Sequence, residues 1–407
     1  MRTRLVATFR TSLVLAAFFS AAGGLALAAL SGVAALVAVT PRALVRALAR
    51  PPLALILAAL AIAWTCLSFA WSPYDRPDQA IKLALLTPLF LALPFFAGQL
   101  GETDRARVRP FVIFAAASSL LFLTIEALLQ APVTLSYKLD VEGYAPDHGA
   151  ILDLSHRMLS RGAVPALMLA GPAALLLWRS GHHAARTGAL VLLILSVFVA
   201  AGFSVEANIV ALAGGLALAA LAWRFPQRTL PGLLVATSLV LVLAPFLFRI
   251  ALSVLPENLI ASLPISWAWR IEIWDHALTR IAERPLTGHG LDAARAIEET
   301  VMLRGMEIDL LPLHAHNAGL TIWLQTGFVG ALLWAFALWS AAVWIARRTV
   351  ERDLAVLVVY VAAVWLISVM LGVGVWQEWH HGALSLAIAT ALICAPARLA
   401  GDLRRSR

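Results

Sequence analysis

Charge and cysteine are scarce in these 407 residues: 13% are Asp, Glu, Lys or Arg, 61% are hydrophobic, and there are two cysteines. So little charge excludes a soluble globular core as the place where all this apolar surface is hidden, and the bilayer must be the solvent. Cys66 and Cys394 fall near opposite ends of their respective spans, assigned below, which excludes a disulfide between them and a cysteine-based metal site. The sequence also lacks internal repeats and low-complexity segments, and the centres of its apolar stretches are almost free of charge. A transporter or flippase would place ionisable groups near the midplane, often in repeated halves, so these absences favour chemistry at the surface over passage through it. The net charge of +8 is spread as arginines over short loops, where it matches anionic lipid headgroups and gives no nucleic-acid surface.

What is present is a series of apolar stretches, with mean hydropathy +0.86. A helix of roughly 17 to 25 such residues crosses the hydrocarbon layer. About twelve spans are predicted, over 11–24, 26–40, 52–71, 80–99, 109–131, 162–178, 188–203, 206–223, 230–248, 317–343, 353–373 and 381–397. The fold class is therefore all-α and polytopic. Residues 11–40 read either as one long span or as a hairpin around Gly23 and Gly24, and charge decides between the two. With a hairpin, 20 of the 31 basic residues fall in cytoplasmic segments, as the positive-inside bias requires, and both termini are cytoplasmic. The N-terminus also resembles a signal peptide, but cleavage would change the parity of every later span and destroy that pattern.

Two outer segments exceed what a connector needs. Residues 132–161 interrupt the first nine spans, which occupy 1–248, and residues 249–316 precede the last three spans, within 317–407. In the larger segment, "WAWRIEIWDHALTRIAERP" places Ile271, Trp274, Leu278 and Ile281 at helical spacing, and Pro285 closes the run. This predicts an amphipathic helix at the outer interface, with Trp267 and Trp269 as belt residues, forming a lid over the membrane domain. "PLTGHGLDAARA" then adds a Gly-rich turn and a second short helix.

The stretch "LHAHNAGLTIWLQTGFVG", 313–330, sets two histidines and an asparagine ahead of an apolar run. On a continuous helix His316, Gly327 and Gly330 share one face, with the glycines about 16 to 21 Å deeper, where they allow close approach of a neighbouring helix. Near neutral pH His316 can act as a general base or, when charged, hold an anion. The alternative is an interfacial histidine above packing glycines, with Asn317 simply capping the helix.

His316-Asn317, nine residues, then Gly327-x-x-Gly330 resembles the His-[Asn/Ser/Gln]-x9-Gly-x-x-Gly signature of the O-antigen ligase family, which includes O-antigen polymerases and some protein O-oligosaccharyltransferases. "WAWRIEIWDHALTRIAERPLTGHG" is similar to that family's Arg-x-x-x-Trp…Pro-x-x-Gly-x-Gly segment. The resemblance implies a metal-independent, cofactor-free glycosyltransferase of GT-C type in the bacterial inner membrane, with its active site facing the periplasm. It would move a glycan from an undecaprenyl-diphosphate donor to a hydroxyl of lipid A-core or of another glycan. It also implies His316 as general base and Arg270 as diphosphate ligand, with His314 and Asn317 beside them at the substrate. A second cation is expected from a Ser-Arg pair, but here Val205 stands where the arginine would fall. Arg161, read as the outer start of its span, is the first substitute; Arg157 and Arg249 follow. A polymerase of the same family is the alternative, and the Arg-x10-Gly repeats of some polymerases are missing. Asp147, His148, Asp153 and His156 have a spacing that suggests metal ligation, but no paired-aspartate motif accompanies them. "WQEWHHG" places Glu378 and His381 either in the same cleft or in an aromatic belt.

Overall fold

The computed structural model describes residues 2–40, 45, 49–144, 148–203 and 205–396. Asp147, Ser204, Arg42, Arg46 and the four arginines after residue 397 lie outside the described residues.

Helices α1 (Arg2–Ala21) and α2 (Leu27–Ala38) form the hairpin that the charge pattern favours. Gly23 and Gly24 turn the chain with φ of +87° and +79°, values that cost glycine nothing. The chain continues through α3 (Leu53–Leu67), α4 (Asp78–Gly98), α5 (Glu102–Leu128) and α6 (Pro132–Asp140). Next come α7 (His148–Arg179), α8 (His183–Ala201), α9 (Glu206–Arg224) and α10 (Thr229–Ser253). Helices α11 (Glu257–Ser262) and α12 (Ile265–Glu283) and strands β1 (Thr300–Leu303) and β2 (Met306–Asp309) lead to α13 (Ala318–Ala346), α14 (Arg352–Leu371) and α15 (Glu378–Cys394).

The protein is all-α and polytopic, with ten helices among the described residues long and apolar enough to cross a membrane. The two further apolar helices of the expected twelve are shorter: α2 has 12 residues, a rise of about 18 Å, and α15 has 17, the lower end of a spanning length. Both pack against other helices. Ser31 Oγ donates to the Gly382 carbonyl at 2.7 Å, and Ser385 Oγ donates to the Phe90 carbonyl at 2.6 Å. Small residues thus let α15 pack against α2 and α4 with its polar groups satisfied, as helices in lipid require.

One correction concerns 132–161. Helix α7 begins at His148, so the second half of this segment is helical and Arg161 lies within a 32-residue helix. Ile151, Ser155 and Leu159 are buried at a spacing of four, which carries the helical stripe through a polar stretch that hydropathy alone reads as loop. A second concerns 249–316, where the short helices are joined by a two-stranded antiparallel hairpin turning at Arg304 and Gly305, both with positive φ. The Arg304 guanidinium donates to the carbonyls of Ile260, Ala261 and Leu263, satisfying the exposed end of α11.

Helix α12 is amphipathic as predicted. Its buried face is Ala268, Ile273, Ala277, Leu278 and Ile281, the last four packed in one apolar cluster with Leu241 and Ala244 of α10 and Leu320 and Leu324 of α13. Ile271 and Trp274 flank that face and do not centre it. The lid segment is thereby fixed to the two helices that bracket it in sequence.

Candidate active site

His316 does not lie on α13. It precedes the helix in a left-handed conformation, φ +49°, and Asn317 is the N-cap. The expected shared helix face of His316, Gly327 and Gly330 is therefore incorrect. The capping bond is the cause: Asn317 Oδ1 accepts from the Leu320 N–H at 3.0 Å and fixes the helix start after residue 317. Asn317 Nδ2 donates to the Met370 carbonyl at 3.0 Å, so both ends of this amide are spent on tying α13 to α14. The structure thus gives Asn317 a positioning role at the start of α13.

The loop ahead of the cap is held from three directions. The Trp274 indole N–H donates to the Ala315 carbonyl at 3.1 Å. The His316 N–H donates to His314 Nδ1 at 3.1 Å, and His316 Nδ1 lies 3.0 Å from the Gly372 carbonyl. These contacts set the tautomers, because a backbone N–H can only donate and a carbonyl can only accept. His314 Nδ1 is therefore unprotonated, and His316 Nδ1 carries the proton. When His316 is neutral, its Nε2 holds a lone pair with no partner among the described residues. The two rings meet edge to face with centroids 4.4 Å apart.

Burial, with the positive charge of Arg270, pushes His316 down to about 4, and the Gly372 carbonyl opposes the shift. Burial pushes His314 down to about 3, with His316 and Arg295 adding to it. Both rings are neutral at physiological pH. Arg270 projects from α12, its Nη1 donates to the Ser266 carbonyl at 3.0 Å, and its guanidinium lies 5.0 Å from the Trp267 ring centroid. Trp269 and Trp274, the other tryptophans near it in sequence, are occupied elsewhere: the Trp269 indole donates to the Asp309 carbonyl at 2.8 Å. Arg270 Nε is buried without a partner. Burial pulls Arg270 below the usual guanidinium value, and Glu206 at the start of α9 opposes this. A carboxylate, one residue after Val205, thus lies within electrostatic reach of Arg270.

The glycines of the motif do more than allow packing. Gly327 has φ +64° and ψ −167° inside α13, a conformation open essentially to glycine alone, and it breaks the helix. Residues 285–290 fill the break. Phe328 N–H donates to the Pro285 carbonyl at 2.8 Å and Val329 N–H to the Leu286 carbonyl at 3.2 Å. In return His289 N–H reaches the Leu324 carbonyl at 2.8 Å and Gly290 N–H the Gln325 carbonyl at 2.9 Å. The Trp64 indole of α3 donates to the Thr326 carbonyl at 3.0 Å. Each backbone group named here that the break releases is therefore paired again, as a membrane-embedded helix demands. A Cβ on Gly327 would lie 2.3 Å from the Leu286 carbonyl oxygen, and one on Gly288 2.5 Å from Gln325. The Pro-x-x-Gly-x-Gly and Gly-x-x-Gly motifs are thus two halves of one joint. Gly330 meets Thr326 and Trp64.

The remaining candidates divide. Ser160, next to Arg161, accepts from Asn208 Nδ2 of α9 at 3.4 Å, and Arg161 Nε is buried without a partner. Arg157 is paired with Asp153. Arg249 lies exposed near the C-terminal end of α10. His156 lies edge to face on Phe203, and no group of three potential metal ligands occurs among the described residues. Glu378 pairs with Lys82 at 3.2 Å, and His381 Nε2 lies 2.6 Å from the Val375 carbonyl.

The fold and site define a multi-pass helical membrane protein with a neutral histidine and a half-buried arginine in electrostatic contact near a broken helix. Residues 190–335 match the family model described as O-Antigen ligase, the family that the motif resembles. The matched segment contains Glu206, Arg270, His316 and both halves of the joint, while Arg161 and Gly372 lie outside it. A protein of Rickettsia conorii provisionally named a polysaccharide ligase is 29% identical over 129 residues, 31% of each chain. One of Rickettsia prowazekii with the same provisional name is 30% identical over 129 residues, again 31% of each chain. The alignment thus spans under a third of these relatives' length.

Proposed function

We propose that the protein is an O-antigen ligase of GT-C type, working without metal or other cofactor in the bacterial inner membrane. It transfers a glycan from undecaprenyl-diphosphate to a hydroxyl of lipid A-core at the periplasmic face, with both termini in the cytoplasm. The observation that carries this reading is the unpartnered Nε2 lone pair of His316 close to the Arg270 guanidinium, whose Nε also lacks a partner.

In the reaction, His316 Nε2 takes the proton of the acceptor hydroxyl as its oxygen bonds to the anomeric carbon. The bond from that carbon to the diphosphate oxygen breaks, and the leaving diphosphate takes the electron pair. Arg270 binds two phosphate oxygens at once and stabilises the charge that develops there. Arg161, with its free buried Nε and its contact to α9 through Ser160, supplies the second cation in place of the one lost at Val205. Until donor arrives, the negative charge of Glu206 offsets part of the cost of burying Arg270. The arriving diphosphate offsets the positive charge that depresses His316, so donor binding raises the basicity of the group that must act next. His314 supports His316 through its Nδ1.

His316→Ala is expected to leave the protein in the membrane and lower transfer by about 10²- to 10⁴-fold, the usual contribution of a positioned general base. Arg270→Lys keeps the charge but loses the fork, and is expected to raise the donor KM. The assay is in-vitro transfer from a lipid-diphosphate glycan, with chelator and without nucleotide; normal transfer by His316→Ala would remove the role assigned to it. Lipopolysaccharide gels of a deletion strain separate ligase from polymerase, since loss of a polymerase leaves a single-repeat band and loss of a ligase leaves none.

A further inference from the structure

A cavity opens near the histidine loop, where α4 and α15 begin. It measures about 640 Å³, a size typical of small-molecule sites, and is lined by Arg76, Lys82 and Arg295 together with Asp78, Asp292 and Glu378. Three cations meet three carboxylates. Lys82 lies 3.5 Å from Asp78 and 3.2 Å from Glu378, and Arg295 lies 3.2 Å from Asp292. A cavity so balanced offers a phosphate no net attraction, unlike Arg270. It does offer a dense set of hydrogen-bond donors and acceptors, which vicinal hydroxyls can engage in pairs, and Tyr74 adds a flat ring that also packs on Arg295 at 5.9 Å.

The cavity is attached to the reaction centre by short links. Gly374 separates it from His314: a Cβ there would lie 2.7 Å from the His314 ring and 3.3 Å from Gln377, which lines the cavity. Asp292 N–H donates to Gln325 Oε1 at 3.1 Å, and the same oxygen accepts from the Trp376 indole at 2.7 Å. Gln325 belongs to the short helical piece of α13 that starts at the Asn317 cap. The cavity wall and the histidine loop are therefore one rigid assembly.

We infer that this cavity binds the acceptor glycan, a neutral hydroxyl-rich oligosaccharide, and delivers its reactive hydroxyl past His314 to His316. The inference rests on the transferase reading above and adds the place and chemical class of the acceptor. Donor and acceptor then approach His316 from different sides, the donor along Arg270 and the acceptor along Arg295.

The test uses full-length protein in nanodiscs and, as probe, a neutral phosphate-free oligosaccharide of the lipopolysaccharide outer core. Saturation-transfer NMR reports its binding, and initial rates report the KM of acceptor and of donor. Ile81, which lines the cavity and is exposed, is changed to Trp to fill it, and Glu378→Ala removes a hydroxyl acceptor. Each variant is expected to weaken oligosaccharide binding and raise acceptor KM by about tenfold or more, the size of one charged hydrogen bond, while donor KM stays unchanged. Equal binding in wild type and both variants, or no binding to wild type, overturns the inference. Transfer with unchanged acceptor KM in the variants overturns the cavity and leaves the ligase reading standing. Cavity-dependent binding without any transfer by the wild type does the reverse.

Discussion

His316 and His314 stand two positions apart and differ in the atom each has left to use. His314 spends Nδ1 on the His316 backbone, whereas His316 spends Nδ1 on Gly372 and keeps Nε2 free. The sequence register singled out His316, because only that histidine stands at the motif's spacing from Gly327. The tautomer was not legible, since it depends on Gly372, 56 residues away. Nor was Glu206, whose importance arises only when α9 brings it toward an arginine of α12. These neighbours set the pH response. The depressed pKa of His316, about 4, means that its base form is present at neutral pH and is lost only as pH falls through that value. Donor binding offsets Arg270 and moves this limit upward. The acid limb of kcat, which reports the donor complex, is therefore expected at higher pH than that of kcat/KM, which reports the free enzyme. Coincident limbs would show that Arg270 and the donor do not communicate with His316.

Among the elements, α13 and its joint to residues 285–290 carry the clearest stability prediction. Gly327→Ala places a Cβ 2.3 Å from the Leu286 carbonyl in a conformation reserved for glycine, at an expected cost of about 3 kcal/mol or more. Gly98→Ala, with nothing within 4 Å of the added atom, is expected to be neutral or slightly stabilising. Trp64→Phe leaves the Thr326 carbonyl without its indole donor and is expected to cost about 1 to 3 kcal/mol. Thermal unfolding of the full chain in detergent ranks the three, and a Gly327→Ala midpoint equal to wild type would contradict the joint. Apolar periodicity revealed most helices, because lipid imposes long runs. It missed the start of α7, where Ile151, Ser155 and Leu159 hold a stripe among charges, and the hairpin at 300–309, whose strands are four residues each. It also read Gly327 as packing, since a helix break mended by a distant loop leaves no local mark beyond the glycine itself.

For the whole molecule, the arginine bias predicts the orientation. Glu257, exposed in the segment after α10, and Arg348, half-buried just after α13, are then expected on opposite faces of the membrane. With Cys66 replaced by Ala and the buried Cys394 left in place, a cysteine introduced at 257 is expected to react with an impermeant maleimide in intact cells, and one at 348 only after lysis. The reverse pattern would invert the orientation and place His316 in the cytoplasm.

The joint between 285–290 and 327–330 has a consequence for how such chains can be exchanged. Its two sides are separated by 36 residues of hairpin and histidine loop, yet each supplies backbone partners that the other cannot find elsewhere. A hybrid of two relatives with its crossover between residues 291 and 326 would inherit one half of the mortise from each parent. Swapping the lid for a new acceptor should therefore succeed only when both halves travel together, and drift in one motif is constrained by the shape of the other.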